Sequence, residues 1–324
     1  MSQNRYLIIG GTTKAATTSL FHYLADHPEV TAATIKETRF FIDQNYPVQP
    51  PVATGWWEGI EKFETFFADQ GQYLRLDATP DYLYSEGTPQ RLKAFLPDVK
   101  VVFILRDPIT RIASWYKFAK QINHIPSAMT FREYVDEQLM GGHFEQAKQQ
   151  RQDGLCGPSP AYFLSALEHG RYSHYLQSYI NILGADRVKT YFYEELCTDP
   201  MKVLQDLCHF TALTASFYDH YKFQVFNRSV SVKSARLNHL YSRLRWQIRR
   251  RTHNLPIHST FRQMRLWFDP IYYRLNSQAD ETVEIHPDIR ARLEAYYEPD
   301  VVLLEQMLGC PIPWSVKPEK TRSN

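Results

Sequence analysis

The chain holds 324 residues, 44 % hydrophobic and 22 % charged, with a formal net charge of +2. This suits a soluble globular protein of one large or two ordinary domains, and the longest apolar runs, Val101 to Leu105 and Val301 to Leu304, are far too short for a membrane-spanning helix. The four cysteines, Cys156, Cys197, Cys208 and Cys310, are scattered without metal-ligand spacing and are expected as reduced core residues in a cytoplasm.

The first strand begins by Tyr6, leaving no room for a signal peptide, so a cytoplasmic protein is expected. Tyr6-Leu7-Ile8-Ile9 runs into Gly10 and Gly11, then through Thr12, Thr13, Lys14, Ala15, Ala16, Thr17, Thr18 and Ser19 into a helical pattern at Leu20. A strand, a small-residue turn and a helix start build an anion cradle. The first N–H groups of a helix lack intrahelical partners and lie at the positive end of its dipole. Lys14 adds a point charge, and Thr17, Thr18 and Ser19 add hydroxyl donors, so a phosphate-bearing ligand is expected. The plain alternative is an ordinary turn of an α/β protein, and the Walker A spacing is absent.

His27-Pro28-Glu29-Val30 reads as a stop before a short second strand near Thr31–Thr34. In Lys36-Glu37-Thr38-Arg39-Phe40-Phe41 two readings stand side by side. One is a solvated charged turn. The other places Glu37 at the C-terminal end of a strand next to strand one, on the rim where parallel sheets carry chemistry. As a base it would need burial to bring its pKa nearer neutrality. A helix is expected over Trp56–Ala68, a third strand over Tyr73–Asp77 followed by a rim turn to Tyr82, and a short helix over Gln90–Leu96. Lys100–Leu105 is continuous and β-branched, as in a buried parallel strand. It ends in Arg106-Asp107-Pro108, with Asp107 as helix cap and Pro108 at the first helical position.

Arg106 at that strand end and Ser114 on the following helix make a second anion grip; the plain alternative for Arg106 is a salt bridge to Asp107 or a neighbour. Residues 123–160 are poorly patterned around a helix near Phe131–Leu139 and read as a lid or acceptor-binding excursion. A helix over Ala161–Leu183 closed by Gly184, a last strand over Val188–Tyr193 and a helix from Asp199-Pro200 through Phe210 follow. Two Pro-started helices, Pro287–Tyr297 and Pro299–Leu308, end the pattern at Gly309.

From Arg228 to Arg274 there are eleven Lys/Arg against Asp269 alone, a segment charge of +10 that leaves −8 for the rest. Leu237, Leu240, Tyr241, Leu244 and Ile248 share one helical face, with Arg236, Arg243, Arg245, Arg249, Arg250 and Arg251 around it. A solvated helix flank, a groove for an anionic acceptor and a membrane-surface helix are all compatible with this pattern. No nucleic-acid partner is expected.

Together these stretches resemble the sulfotransferases that use 3′-phosphoadenosine 5′-phosphosulfate (PAPS), especially the branch related to heparan sulfate sulfotransferases and their bacterial relatives. The resemblance covers nearly the whole chain. Gly11 to Leu20 is similar to the family's loop for the 5′-phosphosulfate. Lys36-Glu37 with Phe40-Phe41 is similar to a Lys-Glu-x-x-Phe-Phe segment whose glutamate is taken as general base. Arg106 and Ser114, eight residues apart, match the grip on the 3′-phosphate. Asp77-Ala78-Thr79-Pro80-x-Tyr82 and Tyr193-Glu194-Glu195-Leu196 match further landmarks. Two positions depart: Ala16 stands where glycine is usual, to be met by a negative φ or a different approach to the phosphate, and Ala78 stands where a lysine is often found, leaving more charge stabilisation to Lys14. The disulfide-closed loop of the Golgi relatives is absent.

The resemblance implies an α/β, P-loop-like three-layer fold, a central parallel β-sheet flanked by helices with a helical C-terminal extension, in a single domain over 1–324. It implies transfer of a sulfuryl group from PAPS, with 3′-phosphoadenosine 5′-phosphate (PAP) as product, to an acceptor hydroxyl, an amine being the lesser alternative. Glu37 would be the base and Lys14 the partner of the leaving oxygen, with no metal needed. A saccharide, a glycolipid or another alcohol is the expected acceptor, with a peripheral membrane or a polyanion as a contact of the Arg-rich segment. The rivals are a P-loop kinase or NTPase, which needs the Walker spacing and a Mg²⁺-holding Asp, and a catalytically silent fold that binds an anionic glycan or membrane. His124 is a rival base.

Overall fold

The computed structural model describes residues 5–48, 50, 54–68, 74–152, 159–224, 226, 231–234, 237, 240, 241, 244, 272, 276–278 and 282–315. Five parallel strands form the central sheet in the order β2-β3-β1-β4-β5: β1 Arg5–Gly11, β2 Val30–Ala32, β3 Leu74–Ala78, β4 Lys100–Leu105 and β5 Val188–Phe192. Strand side chains alternate between faces. Leu7 and Ile9 pack into one core with Val102 and Ile104, under α1 (Thr17–Ala25) and the Pro200–Thr211 helix. Tyr6 and Ile8 join Val101, Phe103 and Leu105 in the other core. Helices on both faces of a parallel sheet are the three-layer arrangement expected from the sequence.

The second strand does not lie beside the first. β2 pairs with β3, Val30 opposite Leu74, while β3 takes the place beside β1 with Ile8 opposite Asp77. Only three residues long, β2 goes to the edge, where short strands expose few unpaired backbone groups. The helix expected over Trp56–Ala68 is a 3₁₀ turn, Trp56–Glu58, and a short α2, Ile60–Glu64; Gly59 at φ 85 separates them. Two helices match their expectations closely: α3 (Thr88–Phe95) and α4 (Pro108–Gln121), whose cap Asp107 accepts from the Ile109 N–H at 3.0 Å.

The poorly patterned stretch contains α5 (Phe131–Leu139) and α6 (His143–Gln152). The long helix expected over Ala161–Leu183 divides into α7 (Pro160–Phe163), a 3₁₀ turn at Glu168–Gly170, and α8 (Tyr172–Leu183). Side chains take the backbone groups between them. The Phe163 carbonyl accepts from Tyr134 Oη at 2.6 Å, the Ala166 carbonyl from the buried Arg111, the Leu167 carbonyl from Tyr297 Oη at 3.0 Å, and the Leu167 N–H donates to Gln138 Oε1 at 2.8 Å. Once bonded in this way, the segment has no need of a helical ladder.

After β5 come α9 (Tyr193–Thr198) and α10 (Pro200–Thr211), with Asp199 Oδ1 accepting from the Lys202 N–H at 3.0 Å. The two C-terminal helices are one, α11 (Pro287–Leu308), which runs through Pro299. Ile289, Leu293 and Tyr297 before the proline and Leu304 after it are all buried in the same core. Packing on both sides therefore outweighs the missing N–H. Among the described cysteines Cys208 is buried, but Cys197 and Cys310 are exposed, correcting their expected place in the core. A short antiparallel pair joins β6 (Ser231–Val232) to β7 (Ser277–Gln278). Leu237, Leu240 and Leu244 are exposed and Tyr241 stacks on Tyr272; Ile248 and the arginines of that segment lie outside the described residues.

Candidate functional site

The C-terminal ends of β1, β3 and β4 meet where the chain leaves β1 toward both sides of the sheet, the switch point at which such sheets bind ligands. The turn after β1 is tightly wound. Gly11 lies so close to Leu83 that a Cβ on it would stand 2.9 Å from the Leu83 Cβ. Thr12 is buried, donates its N–H to the Ile104 carbonyl at 2.8 Å and shares a hydrogen bond with Tyr84 Oη. Ala15 is also fully buried. Lys14 and Ala16 both take left-handed backbone, φ 67 and φ 60. Of the two routes expected at Ala16, the negative φ is not taken: alanine adopts the glycine-favoured conformation and becomes the N-cap of α1.

Alanine has no side-chain acceptor, so no side chain caps this helix, and its first turn contains no acid. The Thr13 hydroxyl is buried beside the Tyr84 phenol. An uncapped helix N-terminus with a buried hydroxyl in front of it suits an anion. Ser19 Oγ is engaged with Phe226, donating to its carbonyl at 3.4 Å and accepting from its N–H at 3.3 Å.

Arg106 follows β4 and is held from three sides. Its Nη1 donates to the Lys14 carbonyl at 3.0 Å, its Nε to Thr110 Oγ1 at 3.2 Å, and the guanidinium lies 4.5 Å above the Tyr193 ring. Tyr172 Oη fixes the Arg106 carbonyl at 2.8 Å. Arg106 is thus tied to the cradle, and no salt bridge to Asp107 forms among the described residues. Ser114 lies one turn beyond Thr110 on α4, and Thr110, Ser114 and Lys117 all face the same cavity.

Glu37 sits in the loop after β2, five residues past its end, at φ 65. Its N–H donates to the carbonyl of Ala78 at 2.9 Å, which brings it to the rim by way of β3. Ala78 itself is fully buried in the strand, so it presents only backbone here. Of the two readings of this stretch, the burial that a base would need is only partly met: the Glu37 side chain is 34 % exposed and lies between two cations, Lys36 Nζ at 2.9 Å and Arg39 Nη2 at 2.7 Å. Arg39 reaches on to Asp81, Nε to Oδ2 at 3.4 Å, while Asp81 Oδ1 accepts from Tyr162 Oη at 2.8 Å and Tyr46 Oη at 3.1 Å. Burial first and the Asp81 charge second push both phenols well above the ordinary tyrosine range, keeping them protonated donors. Beneath Glu37, Asp77 is fully buried, accepts from Thr38 Oγ1 at 3.0 Å, and is pushed up to about 6 by burial.

One cavity of about 1150 Å³ joins these parts, lined by Thr13, Lys14, Ala16, Thr17, Thr18, Ser19, Glu37, Arg106 and Ser114. Gly11, Thr12 and Ala15 do not line it. His124 does not line it; its ring stacks on Phe163 at 4.5 Å. The same cavity is lined by Arg39, Asp81, Phe118, Tyr162 and Tyr193, which sequence reasoning did not single out as site residues. Phe118 was within reach, since it lies four residues beyond Ser114 on α4, and Lys14 Nζ lies 4.7 Å over its ring. Tyr162 gave no such signal, because its segment read as one long helix.

A parallel α/β sheet with a cationic, uncapped helix start at its switch point is an arrangement suited to an anion. The sulfotransferase domain family matches residues 5–250, and the chain belongs to that family. The bifunctional heparan sulfate N-deacetylase/N-sulfotransferase 1 of Xenopus tropicalis is 26 % identical over 236 residues, 68 % of this chain and 23 % of that protein. The membrane-associated sulfotransferase kil1 of Dictyostelium discoideum is 34 % identical over 114 residues, 35 % of this chain and 23 % of that one. The chain thus spans about a quarter of the length of these curated relatives. The crystal structure of a sulfotransferase from Alicyclobacillus acidocaldarius superposes with a TM-score of 0.65 at 20 % identity, covering 98 % of this chain and 100 % of that one, which shows the shared fold.

Proposed function

We propose that this chain is a PAPS-dependent sulfotransferase acting on an acceptor hydroxyl, and that one domain carries the whole site. The observation that carries the reading is the convergence of Lys14, Arg106, Ser114 and Glu37 on one cavity at the end of β1. PAPS would supply the sulfuryl group on a phosphate that leaves as part of PAP. The N-terminal N–H groups of α1, with Thr13, Thr17 and Thr18, would hold the 5′-phosphate. Arg106 and Ser114 would hold the 3′-phosphate, the group that separates this nucleotide from ATP.

At the acceptor, Glu37 takes the hydroxyl proton while the oxygen forms its bond to sulfur. The sulfur–oxygen bond to the phosphate breaks, and its electron pair stays on the phosphate oxygen, which Lys14 neutralises. Such preorganised donors are commonly worth about 3–4 kcal/mol each. Lys36 and Arg39 fix the direction of the carboxylate. A saccharide acceptor is in keeping with the heparan sulfate enzymes among the relatives, and contact with an anionic surface with the charge asymmetry of the sequence.

Replacing Glu37 tests the assignment. Glu37→Gln keeps the shape and removes the base, so turnover should fall by about 10²–10⁴-fold while PAP binds as before. Unchanged turnover would remove Glu37 from the mechanism.

A further inference from the structure

Arg111 lies on α4 between Arg106 and Ser114, yet it does not line the cavity: its side chain is fully buried in the core. Nη2 donates to the Ala166 carbonyl, and the guanidinium faces the phenols of Tyr84, Tyr134, Tyr172 and Tyr297. Among the described residues no carboxylate forms an ion pair with it. Asp107, one turn back, accepts the Arg111 N–H on its carbonyl at 2.9 Å and gives its side chain to the cap of α4. An arginine stays protonated in a protein, and a buried cation without an anion is costly. The transfer step described above does not use it.

Two of those phenols lead to the nucleotide grip. Tyr172 Oη donates to the Arg106 carbonyl at 2.8 Å. Tyr84, at the end of the 3₁₀ turn Pro80–Tyr84, shares a hydrogen bond with Thr12 Oγ1 and lies beside the Thr13 hydroxyl, while its ring stacks on His169 at 3.9 Å. A guanidinium only donates, so the Tyr84 oxygen turns its lone pairs toward Arg111 and its hydrogen toward Thr12. Tyr84 is then a poor acceptor for Thr13, whose hydrogen is left to the cavity that Thr13 lines. Burial first and Arg111 second hold His169 well below the ordinary histidine range, so the ring against Tyr84 adds no competing charge. Resting on the nucleotide reading of the cradle, we propose that Arg111 is a positioning residue for the phosphate site: acting from the core through Tyr84, it fixes Thr12 and leaves the Thr13 hydroxyl to donate to the 5′-phosphate.

The full chain, Tyr84→Phe, Arg111→Met and the double variant would each be titrated calorimetrically with PAP and with adenosine, which carries no phosphate. Tyr84→Phe keeps the ring on His169 and should weaken PAP about tenfold, the worth of one hydrogen bond to a charged group. Arg111→Met should cost at least as much, because it also faces Tyr172. The double variant should bind PAP within about twofold of Arg111→Met alone, since the second change removes a link already idle. Adenosine should bind all four proteins alike, which also shows that they fold. Losses that multiply in the double variant, or equal losses for adenosine, would overturn the relay and leave Arg111 a packing residue. Should Arg111→Met not fold, unchanged PAP affinity in Tyr84→Phe overturns it alone. A wild-type chain that binds PAP no better than adenosine would instead overturn the nucleotide reading on which the proposal rests.

Discussion

Arg106 should discriminate between nucleotides that differ only at the 3′ position. Its Nη1 and Nε are 3.0 and 3.2 Å from the Lys14 carbonyl and Thr110 Oγ1, which aims the rest of the guanidinium into the cavity beside Ser114. Arg106→Met keeps an unbranched stem and removes the donors together with the guanidinium stacked on Tyr193. A hydrogen bond to a charged group contributes about 1.5–3 kcal/mol, so losing the grip on a phosphate should weaken PAP binding by about 2–3 kcal/mol, or about 30–150-fold in Kd. AMP lacks the 3′-phosphate and should lose only what the Lys14 tether contributes, less than about fivefold by the worth of one ordinary hydrogen bond. Isothermal titration of both ligands against both proteins gives the two ratios. Arg106→Lys should recover little, because an ammonium cannot reproduce the forked geometry. Equal losses for the two ligands would refute the assignment and reduce Arg106 to a brace for the Lys14 turn.

Two further outcomes follow from the loop and the rim. Ala16 at φ 60 is in a region that disfavours a Cβ by about 1–2 kcal/mol, part of which glycine returns as unfolded-chain entropy. Ala16→Gly should therefore raise the melting temperature by about 1–3 °C, and Ala16→Val should lower it by more and weaken PAP binding; a valine variant melting like the wild type would contradict the left-handed turn. Asp77 is pushed up to about 6 from 3.8 by burial, so between those values the native state binds more protons than the unfolded chain and stability falls as pH rises. Integrated over that window the loss is about 3 kcal/mol. Urea melts of Asp77→Asn, which lacks this titration, should gain on the wild type by about that amount between pH 4 and pH 7, and parallel curves would show that Asp77 titrates normally.

The parts of the molecule that local chemistry dictates were legible in advance. Lys100–Leu105 is buried on both faces and reads as an unbroken apolar run, and Asp107-Pro108 carries its own cap, so β4, α4 and the placement of Arg106 and Ser114 follow from spacing alone. Glu37 was placed at the rim but by the wrong route. Its support is a backbone bond to Ala78 across the sheet, and nothing in the local sequence says which strand lies beside β1. The break after Phe163 is invisible for the same reason, since Tyr134, Arg111, Gln138 and Tyr297, distant in sequence, take up the backbone groups that a helix would use. Tyr162 was hidden with it. Ala16 was misjudged because propensity disfavours alanine at positive φ, whereas the pull of α1 and the Arg106 bond to the Lys14 carbonyl hold the turn regardless.

The central claim is that this cradle selects a 3′-phosphorylated adenine nucleotide, and calorimetric titration with PAP, AMP and ATP, without added metal and again with Mg²⁺, tests it most directly. The account predicts that PAP binds at least about 30-fold more tightly than AMP or ATP, and that this margin disappears in Arg106→Met. Equal affinity for PAP and AMP, or a preference for ATP once Mg²⁺ is present, would contradict it.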